Sequence, residues 1–227
     1  MKFIKLEFIR SAAAIYVLIV HYVLTYINVL PAYIVRFNLF GAEAVTAFFL
    51  LSGFVIYYSY IRKQEDFSIY FRKRFRRIYP LFIIAILITL ICSYISNELF
   101  PLNIKEIIGN IFMLQNQEIF RGNIVFPVKG NPPFWSLANE WWYYMAFIPT
   151  LLIGKKYNLS PFYLSVSLSA VATIIYYMHP NFICLIAIYY AVWYAGAEMA
   201  RVYMNDQNIN FKNTRHILFS ILLIAII

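Results

Sequence analysis

With 227 residues, 63% of them hydrophobic and 13% charged, the chain carries more apolar side chain than one soluble core of its size can bury. Its 19 Lys and Arg outnumber 10 Asp and Glu, but the cations gather at the ends of apolar runs, a topology signal of membrane proteins rather than a nucleic-acid footprint. A soluble domain is therefore excluded. The prediction is an all-α polytopic membrane helix bundle, one domain over residues 1–227, with about six full transmembrane helices, a partial seventh and a cytoplasmic N-terminus.

Lys2 and Lys5 precede a first apolar run that continues to about Leu30 without a small-x-small cleavage site, so it is expected to stay as an anchor. Arg10 and His21 lie inside it, 11 positions apart. On a helix that is about three turns, ~16 Å, and nearly the same face. Ionisable groups at membrane depth are expensive unless they face a protein interior or a wet cavity, which makes both functional candidates. Arg10 has the alternative of snorkelling to the headgroups. His21 lies about half-way across a ~30 Å hydrocarbon core, too deep for that, and its alternative is a hydrogen bond to a neighbouring helix.

The second span, about Phe40 to Tyr60, contains FFLLSGFVIYY, where Ser52 and Gly53 form a small-residue patch suited to close helix approach. Glu43, near its outer end, is either satisfied at the interface or lines a cavity. Next comes the strongest charge cluster, DFSIYFRKRFRRIYP, Asp66 to Pro80. Asp66 is placed to cap a helix with Phe67, Phe71, Phe75 and Ile78 in one apolar stripe and Arg72, Lys73, Arg74, Arg76 and Arg77 on the other faces. That pattern predicts an interfacial helix. Its cations either anchor it on anionic lipid, at about 1 kcal/mol each, or clamp a phosphorylated ligand through Arg74 and Arg77, neighbours three apart.

A third span begins at Tyr79-Pro80, with proline near the helix start, and ends near Ser96. The stretch 103–120 is apolar on one side (Ile104, Ile107, Ile108, Ile111, Phe112) yet carries Lys105, Glu106, Asn110, Gln115, Asn116 and Gln117. If it lies on the surface, 15 cations fall inside and four outside; if it spans, the division is 12 to 7. The positive-inside rule favours the first, making 97–133 an outer loop.

That loop leads into PPFWSLANEWWYYMAF and a fourth span, about Phe134 to Ile153. Its Trp and Tyr residues suit an aromatic belt. Glu140 is different, because it falls one to two turns inside the helix, where an unpaired carboxylate is costly. A fifth span (about Phe162 to Met178), an outer turn at His179-Pro180-Asn181 and a sixth span (about Phe182 to Tyr203) follow. Glu198 and Arg201, three apart, are expected to pair. The chain stops within HILFSILLIAII, where the 11 residues Ile217 to Ile227 reach ~16 Å, about half a bilayer. The seventh span is thus expected to be incomplete. Cys92 and Cys184 read as packing residues, and neither they nor the three histidines show metal-ligand spacing.

Four of these stretches, in order over residues 10–144, resemble the acyltransferase 3 family of membrane-bound bacterial surface-glycan O-acyltransferases. Arg10 to His21 is similar to its arginine, ten residues, histidine motif. Phe48 to Ile56 is similar to its second-helix signature, KRFRRIYP at Lys73 to Pro80 to its two-arginine element, and WSLANE at Trp135 to Glu140 to its fourth signature. Thr46 and Trp141-Trp142 stand where the family often has acidic residues.

The resemblance implies transfer of an acyl group, acetyl by expectation, from acyl-CoA to a hydroxyl of an extracytoplasmic or lipid-linked glycan at the bacterial inner membrane. Acetyl-CoA is then a donor substrate, with no permanently bound cofactor. It implies His21 as general base or acyl-carrying nucleophile, with Glu140 as its catalytic partner, orienting the imidazole or binding the sugar. Arg10, Arg74 and Arg77 are implied on the donor, and Trp135 and Ser136 on the acceptor. A transporter or non-catalytic partner of polysaccharide synthesis accounts for intramembrane His, Glu and Arg equally well. The two arginines separate the readings, because a proton-coupled carrier has little need of a phosphate clamp. An inactive truncated acyltransferase is the third alternative.

Overall fold

The computed structural model describes residues 4–25, 40–97, 103–117, 119–206 and 209–226. Among them the elements are helical: α1 (Ile4–Thr25), α2 (Gly41–Lys63), α3 (Phe67–Ile95), α4 (Ile104–Ile111), α5 (Phe134–Tyr157), α6 (Pro161–Met178), α7 (Phe182–Ile188), α8 (Tyr190–Asp206) and α9 (Phe211–Ile226). Four stretches are long and apolar enough to cross a membrane, Glu43–Lys63, Phe67–Ile95, Pro161–Met178 and Phe182–Asn205, while Ser11–Val23 is apolar but shorter. The all-α membrane bundle stands. The end of the expected first span, 26–30, lies outside the described residues.

The chain forms two compact units, Met1–Ser59 with Val192–Ile217 and Tyr60–Ala191 with Leu218–Ile227. In the first, α2 and α8 approach at two glycines. A Cβ on Gly53 would stand 1.9 Å from the Trp193 carbonyl oxygen, and one on Gly196 would stand 1.7 Å from that of Leu50. Each helix therefore accepts the other's backbone where it lacks a side chain, the small-residue packing expected of Gly53. Phe49, Ile56, Trp193 and Tyr194 are buried around this crossing.

In the second unit α3 and α5 run antiparallel, since Tyr70 meets Phe147 (6.0 Å between ring centroids) near one end and Phe82 meets Phe134 (5.1 Å) near the other. The expected surface helix and third span are one continuous 29-residue helix with Pro80 inside it rather than at its start. Proline inside a membrane helix is tolerated where neighbouring groups re-satisfy the freed backbone. The buried face also differs from the expected stripe. Tyr70, Arg74, Ile78, Phe82 and Ile86, four apart, turn inward, whereas Phe67, Phe71 and Phe75 are exposed. Those rings instead stack along the helix, with Phe71, Phe75 and Tyr79 meeting the edge of Trp141. Asp66 occupies the N-cap position without a side-chain cap bond.

The outer-loop reading of 97–133 fits α4, whose eight residues are far too short to span. Its apolar side faces outward, with Ile104, Ile108 and Phe112 exposed, and its buried side is Gly109 and Asn110. The reason is hydrogen bonding: Asn110 Nδ2 donates to the Glu106 and Phe126 carbonyls (2.8 Å each), and its Oδ1 accepts from Val128 N (3.3 Å). The same segment ties to α5, where Trp142 Nε1 donates to the Met113 carbonyl (2.8 Å) and Gln115 Nε2 to that of Phe134 (3.1 Å). It also reaches the α6–α7 turn, where Tyr176 Oη donates to Arg121 O (3.0 Å).

The expected sixth span is divided at Tyr189 into α7 and α8. Ser169 of α6 sits in the gap, its hydroxyl donating to Ala187 O (2.7 Å) and accepting from Ala191 N (3.0 Å). Those two backbone groups are four residues apart and would otherwise bond each other. A side chain inserted into the ladder is a recognised cause of helix bending.

Candidate active site

The fourth signature opens α5, and its register decides which side chains reach the interior. Glu140 is 4% exposed and Asn139 1%. Tyr144, one turn later, donates its hydroxyl hydrogen to Glu140 Oε1. Tyr70 of α3 donates in turn to the Tyr144 carbonyl (3.0 Å). Between them lies Arg74, 7% exposed. Its guanidinium carbon is 5.3 Å from the centroid of the Tyr70 ring and 5.6 Å from that of Tyr144. One tyrosine thus has a carboxylate on its hydroxyl and a guanidinium against its ring. Cation–π contact of this kind is strengthened by desolvation, to about 2 kcal/mol or more.

Arg74 Nε is buried without a hydrogen-bond partner among the described residues, as are both amide atoms of Asn139. A buried donor without an acceptor costs about 1–3 kcal/mol, so these groups favour an incoming polar atom. Arg74 and Arg77, grouped by sequence as one surface clamp, are separated by the fold, since Arg77 is exposed. The amphipathic reading sets these cations mostly off the apolar stripe, and it did not foresee the burial of Arg74, whose surroundings are two tyrosine rings. Tyr144 was not singled out either, although its spacing of four from Glu140 was a usable signal.

The acceptor-side candidates are engaged locally. Ser136 Oγ donates to the Pro133 carbonyl (3.0 Å), and Trp135 packs on Tyr189 with centroids 6.2 Å apart. Trp141, Tyr143 and Tyr144 are buried rather than arrayed as a belt. His179 is exposed at the α6 C-cap.

In the first unit, His21 is half-buried on α1, immediately after Val20, which packs against Gly41 of α2. Arg10 shares that continuous helix, as its spacing required, but its side chain lies outside the described residues. The expected Glu198–Arg201 pair forms, with Arg201 Nε and Nη2 donating to Glu198 Oε2 and Oε1 at 2.8 and 2.6 Å. His216 Nε2 joins it, 3.1 Å from Oε1. This third member, 18 residues away in sequence, had no local signal. Among the described residues no cluster of His, Cys, Asp and Glu could hold a metal ion.

A membrane helix bundle with a buried carboxylate, cation and tyrosine pair is the class these observations define. The chain matches the acyltransferase 3 family, described as an acyltransferase domain, over residues 3–227, and it belongs to that family. It is 32% identical over 109 residues to acyltransferase MdmB of Streptomyces mycarofaciens, an alignment covering 47% of this chain and 27% of that protein. No solved structure matches it.

Proposed function

We propose that the protein is an O-acyltransferase of the bacterial plasma membrane, moving an acyl group, acetyl by expectation, from acyl-CoA to a hydroxyl of an extracytoplasmic or lipid-linked glycan. The observation that carries this reading is the buried group of Arg74, Tyr144 and Glu140. Desolvating a cation and a carboxylate inside a helix bundle is expensive, and helices needed only for packing have no use for either.

In this scheme His21, as general base, takes the proton of the acceptor hydroxyl while its oxygen bonds to the thioester carbonyl carbon. The carbon–sulfur bond then breaks, and the coenzyme A thiolate leaves and recovers a proton. As a relay instead, the imidazole receives the acyl group first and passes it to the hydroxyl. Arg77, exposed, suits charge-assisted bonds to coenzyme phosphates, and the family resemblance adds Arg10 to the donor contacts. Arg74 Nε–H is a free donor for an oxygen of the acyl-CoA arm. Glu140 and Asn139 offer acceptor and donor groups to a sugar, with Trp135 and Ser136 at the same end of α5.

Acetyl-CoA binding by the purified protein in detergent tests the donor assignment. Saturable binding weakened by Arg77→Ala supports it, and binding unchanged in the variant returns Arg77 to anchoring on lipid. Glycan acylation at an undiminished rate by His21→Ala would sink the catalytic assignment.

A further inference from the structure

Four cations, Arg72, Lys73, Arg76 and Arg77, stand exposed within six residues of α3. Two of them, Arg72 and Arg76, take no part in the acyl transfer proposed above. Each lies two positions from Arg74, and residues two apart on a helix do not share a face. The burial of Arg74 therefore turns both outward. They are four apart, one turn, and hence neighbours. Lys73 is paired with Glu65, whereas among the described residues neither Arg72 nor Arg76 has a carboxylate within ion-pair reach.

The outward side of α3 changes character along its length. Eleven positions make about three turns, ~16 Å, and return to nearly the same face. Eleven positions beyond Lys73 and Arg76 stand Ile84 and Leu87, 51% and 52% exposed, with Ile91 exposed one turn further on. With 29 residues the helix is ~43 Å long, about 13 Å more than a ~30 Å hydrocarbon core. Part of it must stand among headgroups, and the cations select the N-terminal end, since charge at mid-bilayer is expensive. Phe71 and Phe75, exposed at that end, suit the boundary between headgroup and acyl chain. Arginines with aliphatic side chains ~16 Å further along one face thus match the height of a single leaflet, half of the hydrocarbon core.

We propose that Arg72 and Arg76 hold the headgroup of an anionic phospholipid whose acyl chains lie along Ile84, Leu87 and Ile91. Two guanidinium forks one turn apart give charge-assisted bonds to a phosphate. Coenzyme A carries phosphates too, but a soluble donor has no use for the aliphatic face that continues from the arginines. The lipid holds α3 by its outer side, as Tyr70 and Tyr144 hold Arg74 on its inner side. None of this depends on the acyltransferase reading.

Native mass spectrometry of the purified protein, given equal amounts of phosphatidylglycerol and phosphatidylcholine with identical acyl chains, tests the site. Each cation near a charged bilayer surface strengthens binding about fivefold, so phosphatidylglycerol should be retained about tenfold or more over phosphatidylcholine. Arg72→Gln with Arg76→Gln should abolish most of that preference, and excess acetyl-CoA should not displace the lipid. Equal retention of the two lipids overturns the proposal, as does a preference left intact by the double variant, which assigns it to other cations. Displacement by acetyl-CoA overturns it too, by making the pair a nucleotide site. If the double variant misfolds, Leu87→Asn, which keeps both arginines, carries the test: it should weaken phosphatidylglycerol retention, and unchanged retention refutes the acyl-chain contact on which the proposal stands.

Discussion

Tyr144 donates its hydroxyl hydrogen to Glu140 one turn earlier on the same helix, while Arg74 lies against the face of its ring. The residue joins the two-arginine element to the fourth signature. Tyr144→Phe keeps the ring and removes the bond. A hydrogen bond to a charged group contributes about 1.5–3 kcal/mol, so acylation is expected to slow about ten- to hundredfold at saturating substrate with the donor KM unchanged. Combined with Glu140→Gln the losses should not add, because one interaction is removed twice. Additive losses in that double-variant cycle refute the coupling.

The two arginines should behave oppositely. Arg74→Ala removes two buried ring contacts, about 2 kcal/mol each when desolvated, and is expected to lower the thermal midpoint in detergent. Arg77→Ala, at an exposed position, should leave that midpoint in place and raise the KM for acyl-CoA. Thermal scans and donor titrations on the same preparations check both.

Gly53→Ala places a methyl group 1.9 Å from a backbone oxygen that no rotamer change can move. Overpacking of this kind costs about 1–3 kcal/mol or more, and Gly196→Ala should cost as much for the same reason. Aggregation temperature after detergent extraction measures it.

Arg201→Ala leaves Glu198, 4% exposed, with His216 as its remaining ionisable hydrogen-bond partner among the described residues. Removing one partner of a fully buried ion pair destabilises by about 3–5 kcal/mol, and the 45% exposure of the Arg201 side chain sets the expected loss below that range; Glu198→Gln together with Arg201→Met should restore much of it. Stability of the double variant below that of Arg201→Ala contradicts the assignment.

The second, third, fifth and sixth spans were legible because a run of apolar residues has few other uses, and Glu198 with Arg201 because their spacing alone makes them neighbours. The inward face of α3 was not. A periodicity argument sorts residues by polarity, but Tyr70 and Tyr144 make an interior in which a guanidinium is at home, so Arg74 falls on the buried face and phenylalanines on the open one. The burial of Asn110 was hidden for a related reason: it rests on three hydrogen bonds that no local pattern announces. The Ser169 wedge was equally hidden, because residues 182–203 read as one apolar run and the serine that divides them comes from the preceding helix.

The polarity of α5 bears on how the protein is made. With Asn139, Glu140, Lys155 and Lys156 in 24 residues, it is absent from the stretches apolar enough to cross a membrane unaided. A carboxylate adds up to about 2.5–3.5 kcal/mol to translocon insertion, the full amount at helix centre and less at the position of Glu140, the seventh of 24 residues. The groups that offset this, Tyr70 and Arg74, lie on α3, which leaves the ribosome first. α5 is therefore expected to enter the bilayer as a dependent of α3, and substitutions that empty α3's inner face should appear first as failed integration, before any substrate is met.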